Sequence, residues 1–534
     1  MGDIRFSRGL SLWETMARGI GVMAFAGAFV LLGDVLAAAG PLTPLAFALA
    51  LLLLLLNLLG YVELALSGPR HGSAYTQVQA AEGGALGFFT GWSLVLSGLG
   101  LCALLAHGFG VQVTILLRDH LDLVLPTWPW AAGLVLLLAV NNALGTQEGR
   151  RGLVTALLLF GILLLGLVLL AVPQIQLDHY SGGPQNWTEG LTLLMAAFVG
   201  LEITSSLQSE MRQRERSAPR ALLWTPILVT MVGAIVAAVV IGVLGPDLLL
   251  DSRNPLALLG ARLAGGAGRP LILAVGALAL ATALNSALVL VVRQIYAMGK
   301  DGHLPAGLLR IHPRFGTPGR AIGLVALLLI PLAAAPVDLL GKLTGLLYLI
   351  VLMGVNLTLA LRSQSETAAF TLPFHPWVPA LVLVVDVLIS PLWGARYLAW
   401  AAGCLGLGAV LYLTYARSRH VAAQEGVTVF KPGPEESEAE YRILVPVANP
   451  VTAGTLLRLA GVLARQQKGE VLVLQVVTVP DQVPLEEGRS RAAVGRVLLE
   501  RAMAQAKEEG FAVKTMTRVA HNVAEGILDT AREE

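Results

Sequence analysis

The chain has 534 residues, of which 55% are hydrophobic and only 13% charged, with a formal net charge of +2. That balance excludes an ordinary water-soluble protein, and near-neutral charge without a basic, aromatic-rich cluster gives no reason to expect nucleic acid as a partner. The charge is also unevenly spread, with 24 Lys or Arg and 19 Asp or Glu up to His420 but 13 and 16 in the much shorter remainder. Two solvents are implied, a membrane for residues 1–420 and water for the C-terminal segment.

A bilayer core of about 30 Å takes about 20 apolar residues per helix. Breaks at Gly, Pro and charge clusters predict helices over 16–36, 42–66, 86–117, 131–146, 153–172, 191–209, 221–244, 270–297, 321–336, 338–361, 377–390 and 395–416. Twelve spans put both ends of this region on one side. Lys and Arg gather on cytoplasmic loops, and they divide 18 to 5 in favour of an inside N-terminus, with Lys342 left within a span. The expected location is therefore the cytoplasmic (inner) membrane, multi-pass, with both termini cytoplasmic. Met1 to Arg18 is polar and lacks the apolar stretch of a signal peptide, so no processing is expected.

Irregular backbone at membrane depth survives only where it lines a cavity or is buried in protein. Span one carries Gly19, Gly21 and Gly27 around Met23-Ala24-Phe25-Ala26, which lowers helix propensity at mid-span, although small residues also serve helix packing. Span six carries Phe198-Val199-Gly200-Leu201-Glu202, where a carboxylate costs about 3 kcal/mol on insertion scales. Glu202 either faces a functional cavity or holds the helix break together through hydrogen bonds. The two breaks stand five spans apart, the spacing of inverted repeats that hold a substrate at their interface. Cys102 and Cys404 lie in apolar runs, so neither a disulfide nor a Cys-based metal site is expected, and no metal ligand set is assigned. Asp34, Glu63 and His107 read as capping, solvated or packing groups, and Asp386 in span eleven as an interface group.

Three segments in order resemble the amino acid-polyamine-organocation permease superfamily. They are Ser67 to Tyr75 with Gly87 to Trp92, Phe198 to Glu202 leading to Ser217 to Leu222, and Arg293 to Pro305 with Gly316 to Pro318. The resemblance covers about residues 10 to 416. It implies an all-α membrane domain of twelve helices in a five-plus-five inverted-repeat (LeuT-like) fold. It also implies secondary transport of amino acids or related organic ions by alternating access, with no enzymatic chemistry and no cofactor. Carried over residue by residue, the substrate site is Met23, Ala24, Phe25, Ala26 and Gly27 with Phe198, Val199, Gly200 and Glu202.

Two details leave alternatives open. Amino-acid carriers usually have a small-small-Gly triplet where this chain has Phe25-Ala26-Gly27, and the ring narrows the space for a carboxylate. The related cation-chloride cotransporters share the Gly-Val-Met-x-Phe stretch of Gly21 to Phe25, so an inorganic-ion carrier is the alternative, and a non-transporting sensor the second. The coupling ion is Na⁺ or H⁺. Some proton-coupled members carry a span-five lysine, but Leu153 to Val172 has no ionisable residue. Thr282, Asn285 and Ser286 are the candidate ion ligands, unless their polar groups are satisfied by the preceding turn.

Residues 421–440, with Lys431-Pro432-Gly433-Pro434, read as a linker. Beyond it, strands at 441–447, 470–477 and 511–517 alternate with helices at 452–467, 488–509 and 522–533, a βαβαβα order that predicts a parallel sheet. This small α/β domain, 441–534, resembles the first part of a universal stress protein. Many such domains bind ATP through an Asp after the first strand, where this chain has Ala448-Asn449-Pro450, and through a late Gly-rich loop for which there is no counterpart here. The expectation is no nucleotide binding, and an open sheet edge that invites a homodimer.

Overall fold

The computed structural model describes residues 10–67, 73–145, 149–182, 185–245, 248–249, 254–362, 374–417, 427–430, 442–447, 450–466, 469–478 and 513–520, with single positions between 523 and 531. They divide into a helical unit running to Thr414, apart from Lys300–His303, and a smaller unit that begins at Tyr415.

The helical unit opens with α1 (Leu12–Ala26), begun by a capping box in which Ser11 accepts from the Glu14 N–H and the Glu14 carboxylate accepts from the Ser11 N–H. The helix then widens into one π turn over Gly27–Leu31 and resumes as α2 (Leu32–Ala39). The interruption expected at Met23–Gly27 is thus displaced. Met23 to Ala26 stay α-helical and the irregularity starts at Gly27, because a π turn changes the pitch without surrendering backbone hydrogen bonds to the membrane. Next come α3 (Thr43–Ser67), a short α4 (Ala74–Ala81), α5 (Gly84–Leu121), α6 (Trp128–Ala143) and α7 (Gly149–Ala171).

Span six is divided. It runs as α8 (Trp187–Leu194), a turn, a 3₁₀ stretch over Ala197–Gly200, and α9 (Leu201–Ser206). There the Ala196 N–H bonds the Leu193 carbonyl and the Phe198 N–H the Met195 carbonyl, three residues back rather than four. The remaining helices are α10 (Arg214–Leu244), a short α11 (Pro255–Ala264), α12 (Gly268–Lys300), α13 (Gly319–Leu332), α14 (Val337–Leu361), α15 (Trp377–Ile389) and α16 (Ala395–Leu411). By length and composition seven stretches among the described residues suffice to cross a membrane, and Trp128–Ala143, Gly319–Leu332 and Trp377–Trp393 are shorter apolar helices. The short α4 and α11 were not expected. Their segments are too brief and too polar to register as spans.

The smaller unit is a four-stranded sheet in the order β1-β4-β3-β2. Strands β2 (Arg442–Pro446), β3 (Glu470–Thr478) and β4 (Val513–Ala520) are parallel, with Arg442 opposite Glu470 and Val471 opposite Val513. Helix α17 (Pro450–Gln466) lays Leu457, Ala460 and Ala464 on Val445, Val447, Val471 and Val473, while Leu472, Leu474 and Met516 form a core on the other face. Residues 421–440 are not wholly a linker. Val427–Phe430 forms β1, antiparallel to β4, and covers that side of the sheet, while β2 pairs only with β3 among the described residues and stands at the other edge. The helix expected at 488–509 and the Ala448-Asn449 pair lie outside the described residues.

Candidate functional site

The site grows from a steric fact about Gly200. A Cβ built there would stand 2.7 Å from Met23 Cγ and 3.2 Å from the Met23 backbone nitrogen, so the tightened turn of span six rests on span one with no room for a side chain. Span ten closes on the same turn from another side. At Gly345 an added Cβ would meet the Thr192 carbonyl oxygen at 2.8 Å and the Ala196 nitrogen at 3.2 Å. Glycine is the one residue that allows such backbone approach.

Glu202, one residue into α9, is fully buried. Its carboxylate accepts from the Ala74 N–H at 3.2 Å, from Tyr348 Oη of α14 at 3.5 Å and from Tyr61 Oη of α3, which lies 3.0 Å from both oxygens. Tyr61 Oη also lies 2.7 Å from Ser205 Oγ, so its single proton serves one of these acceptors at a time. Glu202 therefore ties span six to α3, α4 and α14. Both oxygens have protein donors within reach, as burial of a carboxylate demands.

On span one, Met23, Phe25 and Ala26 are buried, whereas Ala24, Gly27 and Ala28 are half-exposed along one face. The Phe25 ring is edge-on to Phe160 of α7 at 5.4 Å, and Phe29 packs on the same ring at 5.1 Å. The Phe25 ring is thereby committed to span five. Beside Gly27 an added Cβ would meet nothing within 4 Å. On the span-six side Phe198, Val199 and Gly200 are all buried. The structure thus joins Met23 to Gly200 directly and leaves Ala24 and Gly27 on an unfilled face.

The candidate ion ligands of α12 each make a hydrogen bond within the bundle. Thr282 Oγ1 donates to the Ala279 carbonyl at 2.9 Å and Ser286 Oγ to the Thr282 carbonyl at 3.1 Å, while Asn285 Oδ1 accepts from Asn142 Nδ2 at 2.7 Å. The Thr282 methyl lies 3.4 Å from a Cβ built on Gly152 of α7. No group of three or more His, Cys, Asp or Glu that could hold a metal ion occurs among the described residues.

Two groups escaped the sequence reading. Tyr61 and Tyr348 are lone tyrosines in apolar spans whose hydroxyls need buried partners; that need was the available signal. The other is a charge cluster at the opposite end of span six from Glu202, where Lys342 Nζ lies 2.6 Å from Glu189 Oε1 and 2.7 Å from Asp338 Oδ1. Tyr397 donates to Asp338.

Comparison with known proteins gives a match to the amino acid permease family over residues 10–417 and to the universal stress protein family over 441–534. The branched-chain amino acid permease BcaP of Bacillus subtilis is 27% identical over 453 residues, covering 78% of this chain and 94% of that protein. The methylthioribose transporter of Bacillus subtilis is 26% identical, covering 77% and 94%. The low-affinity putrescine importer PlaP of Escherichia coli is 27% identical over shares of 54% and 66%.

Proposed function

Because the chain belongs to the amino acid permease family and carries a universal stress protein domain at 441–534, we propose that it is a twelve-span secondary transporter for amino acids with apolar side chains. Counting α1 with α2 and α8 with α9 as one span each, and leaving out α4 and α11, the helices of the membrane region among the described residues make twelve, divisible into two sets of five and a final pair. The positive-charge count supports a cytoplasmic position for both termini.

One observation carries the reading. The tightened turn of span six sits on span one at Met23, beside a half-exposed face of Ala24, Gly27 and Ala28 with unfilled space at Gly27. Helix α1 packs against α7, α9 and α10, and the π turn against α5, α8 and α14, which argues that this space lies inside the bundle. The side chains of the two interrupted spans nearby are apolar, with Phe25 and Phe29 packed on Phe160 and with Phe198 and Val199 buried in the span-six turn, and this chemistry guides the choice of substrate. A diamine brings a second ammonium that an acidic group serves best, and the one acidic group of the turn, Glu202, already faces Ala74 N–H, Tyr61 and Tyr348. An amino acid needs donors and acceptors only at its head, a role we assign to the backbone of the irregular span-six turn Ala197–Gly200. The Phe25 ring, packed on Phe160, leaves the Gly27 face to the solute, and this favours an organic substrate over a bare inorganic ion.

The test is uptake by the full chain in proteoliposomes of radiolabelled L-leucine, with putrescine, methylthioribose, K⁺ and Cl⁻ in parallel. Saturable leucine uptake is expected. Uptake of K⁺ and Cl⁻ alone would favour the inorganic-ion carrier, and ligand binding without any translocation would favour a sensor.

A further inference from the structure

Spans two, ten and eleven bury three polar side chains against one another. Asn57 of α3, Asn356 of α14 and Asp386 of α15 are 0%, 1% and 0% exposed. Asn57 Nδ2 donates to the Leu53 carbonyl at 3.0 Å and to Asp386 Oδ1 at 2.9 Å. Asn356 Nδ2 donates to the Leu352 carbonyl at 3.1 Å and to Asn57 Oδ1 at 2.8 Å. Each amide offers two hydrogens, so both are fully spent. Two buried atoms are left without a partner among the described residues, Asp386 Oδ2 and Asn356 Oδ1. Both are acceptors. The cluster is short of hydrogen rather than of oxygen.

Among the described residues no cation makes up the deficit. The described elements packed most closely against α15 are α3, α14 and the turn Ser390–Trp393. Their titratable groups are Tyr61 and Glu63 on α3 and Asp338, Lys342 and Tyr348 on α14, with Arg362 just past its end. Tyr61 and Tyr348 bond Glu202, and Lys342 bonds Asp338 and Glu189. Glu63 is six residues from Asn57, about a third of a turn off its face. An ionised carboxylate with one neutral donor in an apolar span is costly, whereas a neutral acid is not. A proton on Oδ2 neutralises Asp386 and supplies the missing donor.

We propose that Asp386 is a proton-binding site of the transport cycle, loaded on Oδ2 and unloaded when spans two and ten move. Asn57 and Tyr61 stand one turn apart on α3, and Asn356 stands two turns beyond Tyr348 on α14. The helix that holds Asp386 through Asn57, and the helix that holds Asn57 through Asn356, therefore also hold Glu202 through Tyr61 and Tyr348, and a shift of α3 against α14 alters both clusters at once. The proton is bound and released with no covalent change elsewhere.

This inference rests on the transport reading, and its test separates the two. The full chain in proteoliposomes with a lumenal pH dye is given radiolabelled L-leucine. The wild-type protein is expected to acidify the lumen as leucine enters, and Asp386→Asn, which keeps the shape and the acceptor, to lose the protons that accompany each leucine. The readout is the ratio of protons to leucine, since a merely structural defect lowers both together. A wild-type ratio of zero, or an unchanged ratio in Asp386→Asn, overturns the proposal while leaving transport standing; no leucine entry at all overturns the transport reading. Should Asp386→Asn not assemble, an apolar carbodiimide, which reacts with protonated carboxyls, is applied to the wild-type chain. Modification mapped to Asp386 is expected, and an unmodified Asp386 refutes the site.

Discussion

Valine at position 200 and valine at position 27 test the proposed site from its two sides. The backbone at Gly200 has φ −59° and ψ −17° and that at Gly27 has φ −62° and ψ −50°, so either accepts a side chain without strain. At Gly200 the Cβ alone would arrive 2.7 Å from Met23 Cγ and 3.2 Å from Val22 Cγ1, against about 3.5–4.0 Å for a comfortable carbon contact. Span one must retreat by up to about 1 Å. Overpacking of this kind costs about 1–3 kcal/mol, roughly a 5- to 150-fold loss of the assembled state. At Gly27 nothing lies within 4 Å of the new Cβ, and valine is the better helix former by a few tenths of a kcal/mol. Gly200→Val is therefore expected to lower the thermal unfolding midpoint in detergent and to depress leucine uptake with it. Gly27→Val is expected to keep the midpoint and raise the KM for leucine at least tenfold. A Gly200→Val protein as stable and active as wild type would refute the contact, and an unchanged KM in Gly27→Val would refute the claim that the solute uses that face.

Three other outcomes are expected from the geometry. Glu202→Gln replaces an acceptor-only group facing two tyrosine hydroxyls and a backbone N–H by one that must turn an amide donor toward some of them. With about 1–2 kcal/mol lost, leucine uptake at fixed protein should fall roughly tenfold, and wild-type uptake at every pH would remove Glu202 from the mechanism. Lys342→Met leaves Glu189 and Asp338 without their common cation. Because both carboxylate side chains are more than a third exposed, the cost by thermal unfolding is about 1 kcal/mol or less, and a loss several-fold larger would show that the cluster carries more than its solvated ion pairs. Calorimetric titration of the full chain with ATP is expected to show no saturable binding, given Ala448-Asn449-Pro450 after the first strand of the tail; a stoichiometric isotherm would contradict this.

Much of the helical unit was legible because burial in lipid imposes length on sequence. The stretch predicted at 42–66 is Thr43–Ser67, and that at 153–172 is Gly149–Ala171. The deviation of span one was not legible in place. Glycine lowers helix propensity at Gly19, Gly21 and Gly27 alike, and tertiary packing chose Gly27, since Gly19 is pressed against Thr204 and Gly21 against Leu153. Tyr61 meets Glu202 across 141 residues, a pairing that no local pattern encodes. In the tail the apolar strands at 442–446 and 470–478 announced themselves, while β1 is four residues in a polar stretch and is defined only by its partner β4. Asp386 showed its oddity in sequence, but its partner Asn57 lies 329 residues away and is itself held by Asn356 on a third helix.

The central claim is that spans one and six meet around an amino acid beside Gly27. A cryo-electron microscopy structure of the full chain in lipid nanodiscs with L-leucine tests it most directly. The account predicts leucine between the Ala24-Gly27-Ala28 face and the Phe198-Val199 turn, its head group against the backbone and its side chain among the phenylalanines. Leucine bound elsewhere, with that space still empty, would contradict it.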